Sequence, residues 1–292
     1  ALLDFVTQTQ VTGTKTITVS GDSKGAHLQL RNVRDEVTLV DASKFSDDNS
    51  SEAEGIILNF FADINKGTTT TAHTILGSTG TDTITSGDGA DSIVGDSGSD
   101  AINGGGGNDT ISGGAGADTI WGADGNDNIT GGAGNDQIFT NGDTAAKTGD
   151  ADTVDAGDGA DYVEVNSGDT NQGMASILAG TGADLVYVDG TTGGVSIDGQ
   201  DDSDLVIFGA NTTVDIPAAG KLEGGNGGND VLVIGGSVNE TIAANIIGRS
   251  SGFESIRIDD SHSVAGFTNP GAAGRVDPNA DGVFTDLTAS TK

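Results

Sequence analysis

A nine-residue repeat runs without a gap from Gly77 to Phe139, and it restricts the possible folds more than any other feature of the chain. When Gly77 is counted as position one, every unit has glycine at position four, aspartate at position six and isoleucine at position eight. The glycines are Gly80, Gly89, Gly98, Gly107, Gly116, Gly125 and Gly134. The aspartates are Asp82, Asp91, Asp100, Asp109, Asp118, Asp127 and Asp136. The isoleucines are Ile84, Ile93, Ile102, Ile111, Ile120, Ile129 and Ile138.

This period excludes a helix, because nine residues make two and a half helical turns and would place successive isoleucines on opposite faces. Glycine at this density would also cost a helix about 1 kcal/mol per residue. A solenoid fits better: a six-residue turn and a three-residue strand per unit give coils of two units, stacked about 4.8 Å apart. We therefore expect an all-β solenoid with flanking β segments, in which the position-four glycines adopt positive φ.

The charge of the chain points to cations as its ligands. The formal net charge is −32, from 44 acidic against 12 basic residues, which argues against binding to nucleic acid or to anionic lipid. No run of 18 apolar residues occurs, so membrane insertion is not expected. Coils stacked about 4.8 Å apart would bring aspartates together, and two carboxylates at that distance repel by roughly 3 kcal/mol at an effective dielectric near 20. Calcium, which accepts six to eight oxygen ligands, would reverse this repulsion.

Two units, GGGGNDTIS at 104–112 and GGAGNDQIF at 131–139, match the pattern GGxGxDxUx. They resemble the calcium-binding nonapeptide of repeats-in-toxin (RTX) proteins. The resemblance implies a right-handed parallel β-roll with several calcium ions held between turns that lie two units apart. The implied ligand pairs are Asp82 with Asp100, Asp91 with Asp109, Asp100 with Asp118, Asp109 with Asp127, and Asp118 with Asp136.

The repeat loses phase at TNGDTAA, after Phe139, and then resumes. Units at 147–155, 156–164 and 179–187 offer Asp152, Asp161 and Asp184 as further ligands. Asp204 and Asp230 each begin a longer apolar strand. Two interpretations of these carboxylates stay open: a calcium ligand, or a carboxylate at the start of a strand with no metal. Of the two aspartates, Asp230 is included among the expected ligands.

The segments outside the repeat suggest four parts of the chain. We expect a β segment at 1–70 that caps the roll, the calcium-binding roll at 71–164, a continued irregular solenoid with longer strands at 165–260, and a loop-rich tail at 261–292. In the tail, Asp277, Asn279 and Asp281 precede a glycine as in the first half of an EF-hand loop. Thr288 replaces the twelfth, acidic ligand of that loop, so a calcium site and a solvated turn both stay open.

Catalytic motifs have weaker support. GDSG at 95–98 resembles a protease motif but occupies positions one to four of a repeat, and the three histidines are scattered. We therefore expect no enzyme in this chain. The predicted function is that of an extracellular calcium-binding structural protein of a bacterial surface layer, adhesin or matrix fibre, exported in one step.

VTLVDASKF at 37–45 and GFESIRID at 252–259 are similar to stretches that flank such repeats in surface-layer proteins and adhesins. Besides calcium, the expected partners are further copies of the chain or a cell-surface polysaccharide. The alternative function is a calcium-binding accessory or secretion module of a secreted protease or lipase.

Overall fold

A computed structural model describes twelve segments of the chain: residues 3–4, 15–22, 28–31, 37–46, 56–59, 71–140, 151–166, 174–189, 194–209, 220–235, 240–259 and 284–287. The chain forms two compact units. Unit 1 comprises Ala1–Asp143 and Asp152–Ala156, and unit 2 comprises Thr144–Ala151 and Gly157–Lys292.

In the repeat of unit 1, successive nonapeptides supply strands of three and six residues in alternation, whereas the sequence predicted three residues in every nonapeptide. The strands are β1 (Leu3–Asp4), β2 (Lys15–Asp22), β3 (Leu28–Arg31), β4 (Val37–Ser46), β5 (Ile56–Asn59), β6 (Thr74–Leu76), β7 (Thr83–Thr85), β8 (Ser92–Ser97), β9 (Ala101–Asn103), β10 (Thr110–Ala115), β11 (Thr119–Trp121), β12 (Asn128–Ala133) and β13 (Gln137–Phe139). β14 (Thr153–Asp158) has its first four residues in unit 1 and its last two in unit 2.

Each strand of the repeat pairs in parallel with the strand two further along the chain. β7, β9, β11 and β13 follow one another in one sheet, and β6, β8, β10 and β12 follow one another in the other. The register places isoleucine beside isoleucine, as in Ile84 with Ile102 and Ile120 with Ile138. These isoleucines are fully buried and form the core between the two sheets. The expected parallel β-roll solenoid is confirmed.

The strands before the repeat extend the same two sheets. β5 pairs in parallel with β7, and β4 pairs in parallel with β6. Val40 and Ala42 of β4 are fully buried, which continues the inward-facing row of the repeat. The apolar residues of these strands fit the same parallel register as the isoleucines of the repeat.

The strands of unit 2 are two to seven residues long. Its strands are β15 (Tyr162–Asn166), β16 (Ala175–Thr181), β17 (Leu185–Asp189), β18 (Val195–Asp201), β19 (Leu205–Phe208), β20 (Leu222–Glu223), β21 (Val231–Ile234), β22 (Ser250–Ser251), β23 (Ser255–Asp259) and β24 (Phe284–Leu287). β15, β17, β19, β21 and β23 pair in parallel in that order, and so do β16, β18, β20 and β22. β24 pairs antiparallel with β23, which departs from the parallel pattern.

One helix, α1 (Glu240–Arg249), lies where the sequence predicted irregular β-solenoid. Ile246 and Ile247 of its last turns are buried, and Arg249 places a positive charge at the end where the helix dipole favours one. The apolar spacing of this segment is helical, so it does not continue the strand pattern. In the described residues, no helix has the length and apolar character needed to cross a membrane.

Candidate metal centre

The position-six aspartates of unit 1 form two ladders of buried carboxylates. Every one of them is at most 3 % exposed. From Asp82 to Asp127, the backbone N–H of each of these aspartates donates a hydrogen bond to Oδ1 of the aspartate one coil later, at 2.7 to 2.9 Å. One ladder contains Asp82, Asp100, Asp118 and Asp136, and the other contains Asp91, Asp109, Asp127 and Asp152.

This arrangement brings together all five aspartate pairs that the RTX resemblance implied. It also explains the seven-residue insertion after Phe139, because Asp127 and Asp152 are 25 residues apart yet make the same hydrogen bond as pairs 18 apart. The ladder therefore stays in register across the insertion.

Several of these carboxylates keep one oxygen available. Oδ2 of Asp100, Asp109 and Asp118 is buried and has no hydrogen-bond partner among the described residues. Burial, together with the neighbouring carboxylates of Asp82 and Asp118, raises the pKa of Asp100 to about 8, against an ordinary value of 3.8. Burial likewise raises the pKa of Asp109 to about 8. A buried carboxylate with an unsatisfied oxygen destabilises the folded state unless it binds a cation or a proton.

Carbonyl oxygens converge on the same places. A Cβ atom built on Gly104 would lie 2.5 Å from Oδ2 of Asp109 and 2.8 Å from the carbonyl oxygen of Gly122 in the next coil. Built on Gly122, it would lie 2.6 Å from Oδ2 of Asp127 and 2.8 Å from the carbonyl oxygen of Thr140. In the turns of Gly104 and Gly122, position one must therefore be glycine, since any side chain there would displace oxygens that belong to two successive coils.

In the nonapeptides from 95 to 139, the turn backbone is left-handed at positions two and four. At position four, Gly98, Gly107, Gly116, Gly125 and Gly134 have positive φ, as the sequence predicted. Gly80 and Gly89 are absent from the positive-φ residues of the described chain, which corrects that prediction for the first two units. Position two also has positive φ, even where it is Asp96 (84°) or Ala123 (75°), and the sequence pattern did not indicate this.

Unit 2 contains a third ladder with less regular spacing. The backbone N–H groups of Asp161, Asp184 and Asp204 donate to Oδ1 of Asp184, Asp204 and Asp230, at 2.7 to 3.0 Å, and that of Asp230 donates to Oε2 of Glu254. Oδ2 of Asp184, Asp204 and Asp230 is buried and has no hydrogen-bond partner in the described part of unit 2. Burial raises the pKa of Asp184 to about 6 and that of Asp204 to about 7.

Two members of this third ladder were not among the expected ligands. Asp204 was undecided on sequence, yet a Cβ built on Gly199 would lie 2.5 Å from its Oδ2 and would also meet the carbonyl oxygen of Gly224. Glu254 gave no sequence signal, because it follows Asp230 by 24 residues and stands outside any recognisable nonapeptide. Asp277, Asn279 and Asp281 of the EF-hand-like loop lie outside the described residues.

The available donors suit calcium. Among the described residues, no group of three or more His, Cys, Asp or Glu side chains could hold a metal ion. Oxygens here come instead from carboxylates in ladders and from turn carbonyls, and this is the all-oxygen mixture that Ca²⁺ prefers. Zinc sites typically use thiolate and imidazole ligands, whereas these turns contain carboxylate and carbonyl oxygens.

Comparison with known proteins agrees with this geometry. Residues 76–111, 103–138 and 148–171 match the family described as RTX calcium-binding nonapeptide repeat (4 copies). No curated protein matched the chain. RTX nonapeptide repeats bind multiple Ca²⁺ ions. The protein thus carries RTX calcium-binding nonapeptide repeats, folded as a parallel β-roll, within residues 76–171.

Proposed function

We propose that this chain is an extracellular structural protein whose β-roll folds and becomes rigid when it binds calcium. The observation that carries the proposal is the ladder of buried carboxylates: Oδ2 of Asp100, Asp109 and Asp118 has no hydrogen-bond partner in the described chain. Without a cation, these charges are buried and repel one another. With one, carboxylates and turn carbonyls of successive coils share a ligand, and the metal-binding free energy becomes folding free energy.

The ligands that we propose come from all three ladders. In unit 1 they are Asp100, Asp109, Asp118, Asp127, Asp136 and Asp152, and in unit 2 they are Asp161, Asp184, Asp204 and Asp230. We propose Asp204 as an addition because its surroundings match those of Asp109: a glycine that excludes a Cβ atom and a carbonyl oxygen from the next coil. The tail loop with Asp277, Asn279 and Asp281 is proposed as a separate calcium site on its sequence pattern alone.

Calcium-dependent folding suits a protein that leaves the cell. In a compartment with very little free calcium, repulsion would keep the chain unfolded and ready for export, and extracellular calcium would then drive folding. RTX repeats are typical of secreted proteins. The role proposed for this chain is a stiff element of a bacterial surface layer, adhesin or matrix fibre, with further copies of the chain or a surface polysaccharide as its partners.

A calcium titration tests this proposal. The purified chain would be titrated from excess chelator to about 10 mM calcium, a range that includes weak extracellular sites. Circular dichroism and Trp121 fluorescence would be recorded together. Trp121 is a suitable probe because it stacks on Phe139 of the next strand in its sheet, with ring centroids 5.6 Å apart. We expect a cooperative gain of β structure and a shift of the emission to shorter wavelength.

Magnesium at the same concentrations is the control, since its stricter octahedral geometry and strongly held waters suit carbonyl-rich turns less well. Equal responses to both ions would contradict a calcium-specific roll. Light scattering in the same titration tests the assembly role. Growth into large ordered particles would support a layer or fibre, whereas a calcium-bound monomer would contradict self-assembly and favour the accessory-module alternative.

A further inference from the structure

The first two turns of the repeat hold their aspartates differently from the turns that contain Asp100, Asp109 and Asp118. Oδ2 of Asp82 accepts a hydrogen bond from the backbone N–H of Ser78 at 2.6 Å, and its Oδ1 accepts one from the Ser78 hydroxyl at 2.7 Å. Oδ2 of Asp91 accepts a hydrogen bond from the Ser86 hydroxyl. All four of these residues are buried, so the protein itself solvates both carboxylates.

Ser86 occupies the place in its unit where position one is glycine in the other six. In those units, a Cβ atom at that place would collide with Oδ2 of the unit's own aspartate. Ser86 instead has a real side chain there, and its hydroxyl is hydrogen-bonded to Asp91. The oxygen that has no hydrogen-bond partner in Asp100, Asp109 and Asp118 is therefore already engaged in Asp91.

His73 completes the arrangement from the preceding coil. It lies 18 residues before Asp91, so it stands where the ladder would otherwise have an aspartate. Its backbone N–H donates to Oδ1 of Asp91 at 2.7 Å, as the aspartates do, and its Nδ1 lies 3.1 Å from the same oxygen. His73 thus provides nitrogen donors where the preceding carboxylate of the ladder would lie. The ladder begins with hydrogen bonds from His73 to Asp91.

The backbone of these turns differs as well. From Asp96 to Gly134, positions two and four of the turns have positive φ, whereas Ser78, Gly80, Gly87 and Gly89 are absent from the positive-φ residues of the described chain. A left-handed residue rotates the adjacent peptide groups, so the backbone of the first two turns follows a different course from that of the later turns. Side chains and backbone therefore independently separate the first two units from the rest.

We propose that Asp82 and Asp91 do not bind calcium and that Ser78, Ser86 and His73 replace the metal in this coil. This changes the expectation drawn from the repeat pattern for both aspartates. The inference rests on the proposed calcium binding by the later coils. In this arrangement the coil at 77–94 is a calcium-independent end of the ladders, and calcium sites begin at Asp100 and Asp109. It gives the calcium-bound coils a paired edge on which to stack.

The test compares one substitution at equivalent places of the same ladder. Calcium stoichiometry of the full chain would be measured by isothermal titration calorimetry and native mass spectrometry for the wild type, Asp91→Asn and Asp109→Asn. Asparagine keeps an oxygen that can accept the hydrogen bond at Oδ1. We expect Asp91→Asn to bind as many ions as the wild type and Asp109→Asn to bind at least one fewer. Trp121 fluorescence would show that the roll has formed in each variant.

A gain of metal is the complementary test. Ser86→Gly restores the residue that occupies position one in the other units, and we expect it to bind one more ion per chain. Ser99→Gly is the matched control. Ser99 is an exposed turn serine whose hydroxyl accepts a hydrogen bond from Ala117 N–H. We expect this substitution to leave the number of bound calcium ions unchanged. An equal loss of calcium in Asp91→Asn and Asp109→Asn, or no gain in Ser86→Gly, would overturn the inference. A wild type that binds no calcium would instead refute the proposed function.

Discussion

The backbone N–H of Asp100 donates a 2.7 Å hydrogen bond to Oδ1 of Asp118, eighteen residues later, while Oδ2 of Asp118 stays buried with no hydrogen-bond partner in the described chain. The two oxygens of one carboxylate thus have different tasks. One fixes the register between coils, and the other is held for a cation. A single residue type at position six therefore links coil stacking to metal binding.

Asp118→Asn separates these two tasks. The amide oxygen can still accept the hydrogen bond from Asp100 N–H, but the charge at the proposed metal position is lost. We expect the calcium concentration at the folding midpoint to rise by about tenfold, equivalent to about 1.4 kcal/mol. Circular dichroism during calcium titration measures it. Asp88→Asn makes the same charge change outside the ladders, and a shift of similar size in that variant would contradict the assignment.

The raised pKa values predict how the metal-free chain responds to pH. Burial raises the pKa of Asp100 and of Asp109 to about 8, against 3.8 in the unfolded chain. Folding therefore favours the protonated form, so this contribution to stability is fully present below pH 3.8 and is lost as pH rises through 8. In chelator, we expect β structure to form on acidification from pH 8 to pH 4.

Circular dichroism of the chelated chain across this range is the measurement. Asp100→Asn with Asp109→Asn provides a matched variant, since amides do not titrate and the pH dependence should become weaker. A chelated wild type with the same spectrum at pH 4 and pH 8 would contradict proton uptake on folding.

Much of the roll could be predicted from the sequence because the period itself encodes the geometry. Two units make one coil, so residues 18 apart must lie beside each other, and Asp109 therefore neighbours both Asp91 and Asp127. The same reasoning predicts the isoleucine core. It extends one unit further back, since Ile75 precedes Ile84 by nine residues and is fully buried.

The remaining features depend on contacts that a period does not encode. His73 and Ser86 differ from the repeat pattern, and their partnership with Asp91 is visible only when the coils are stacked. Asp204 follows Asp184 by 20 residues and Glu254 follows Asp230 by 24, so the spacing along this ladder is not constant. Irregular spacing removes the signal from sequence while the strands still hold the carboxylates in one ladder.

Gly104→Ala tests the close approach of oxygens over position one. The new Cβ atom would lie 2.5 Å from Oδ2 of Asp109 and 2.8 Å from the carbonyl oxygen of Gly122, so the turn must shift. Overpacking of this kind costs roughly 1 to 3 kcal/mol. We expect a lower thermal unfolding midpoint in calcium and weaker calcium binding. Differential scanning calorimetry with and without calcium measures both effects.

Gly248→Ala is the control for that substitution. A Cβ atom on Gly248 would meet nothing within 4 Å, and alanine is favoured over glycine in a helix by about 1 kcal/mol. We expect an unchanged or slightly higher midpoint. Equal destabilisation by the two alanines would show that any glycine loss harms the protein and that the oxygens over Gly104 have no special role.

Asp204→Asn tests whether calcium binding extends past the residues that match the repeat family. Asp204 is 2 % exposed, burial raises its pKa to about 7, and its Oδ2 has no hydrogen-bond partner within the described residues. We expect the variant to bind at least one ion fewer than the wild type by native mass spectrometry. Asp201→Asn, an exposed position three residues earlier, should leave the count unchanged. Asp204 lies beyond residue 171, where the match to the repeat family ends. An unaltered number of bound ions in Asp204→Asn would therefore contradict a calcium site at Asp204. The third ladder would then be a metal-free stack of hydrogen-bonded carboxylates.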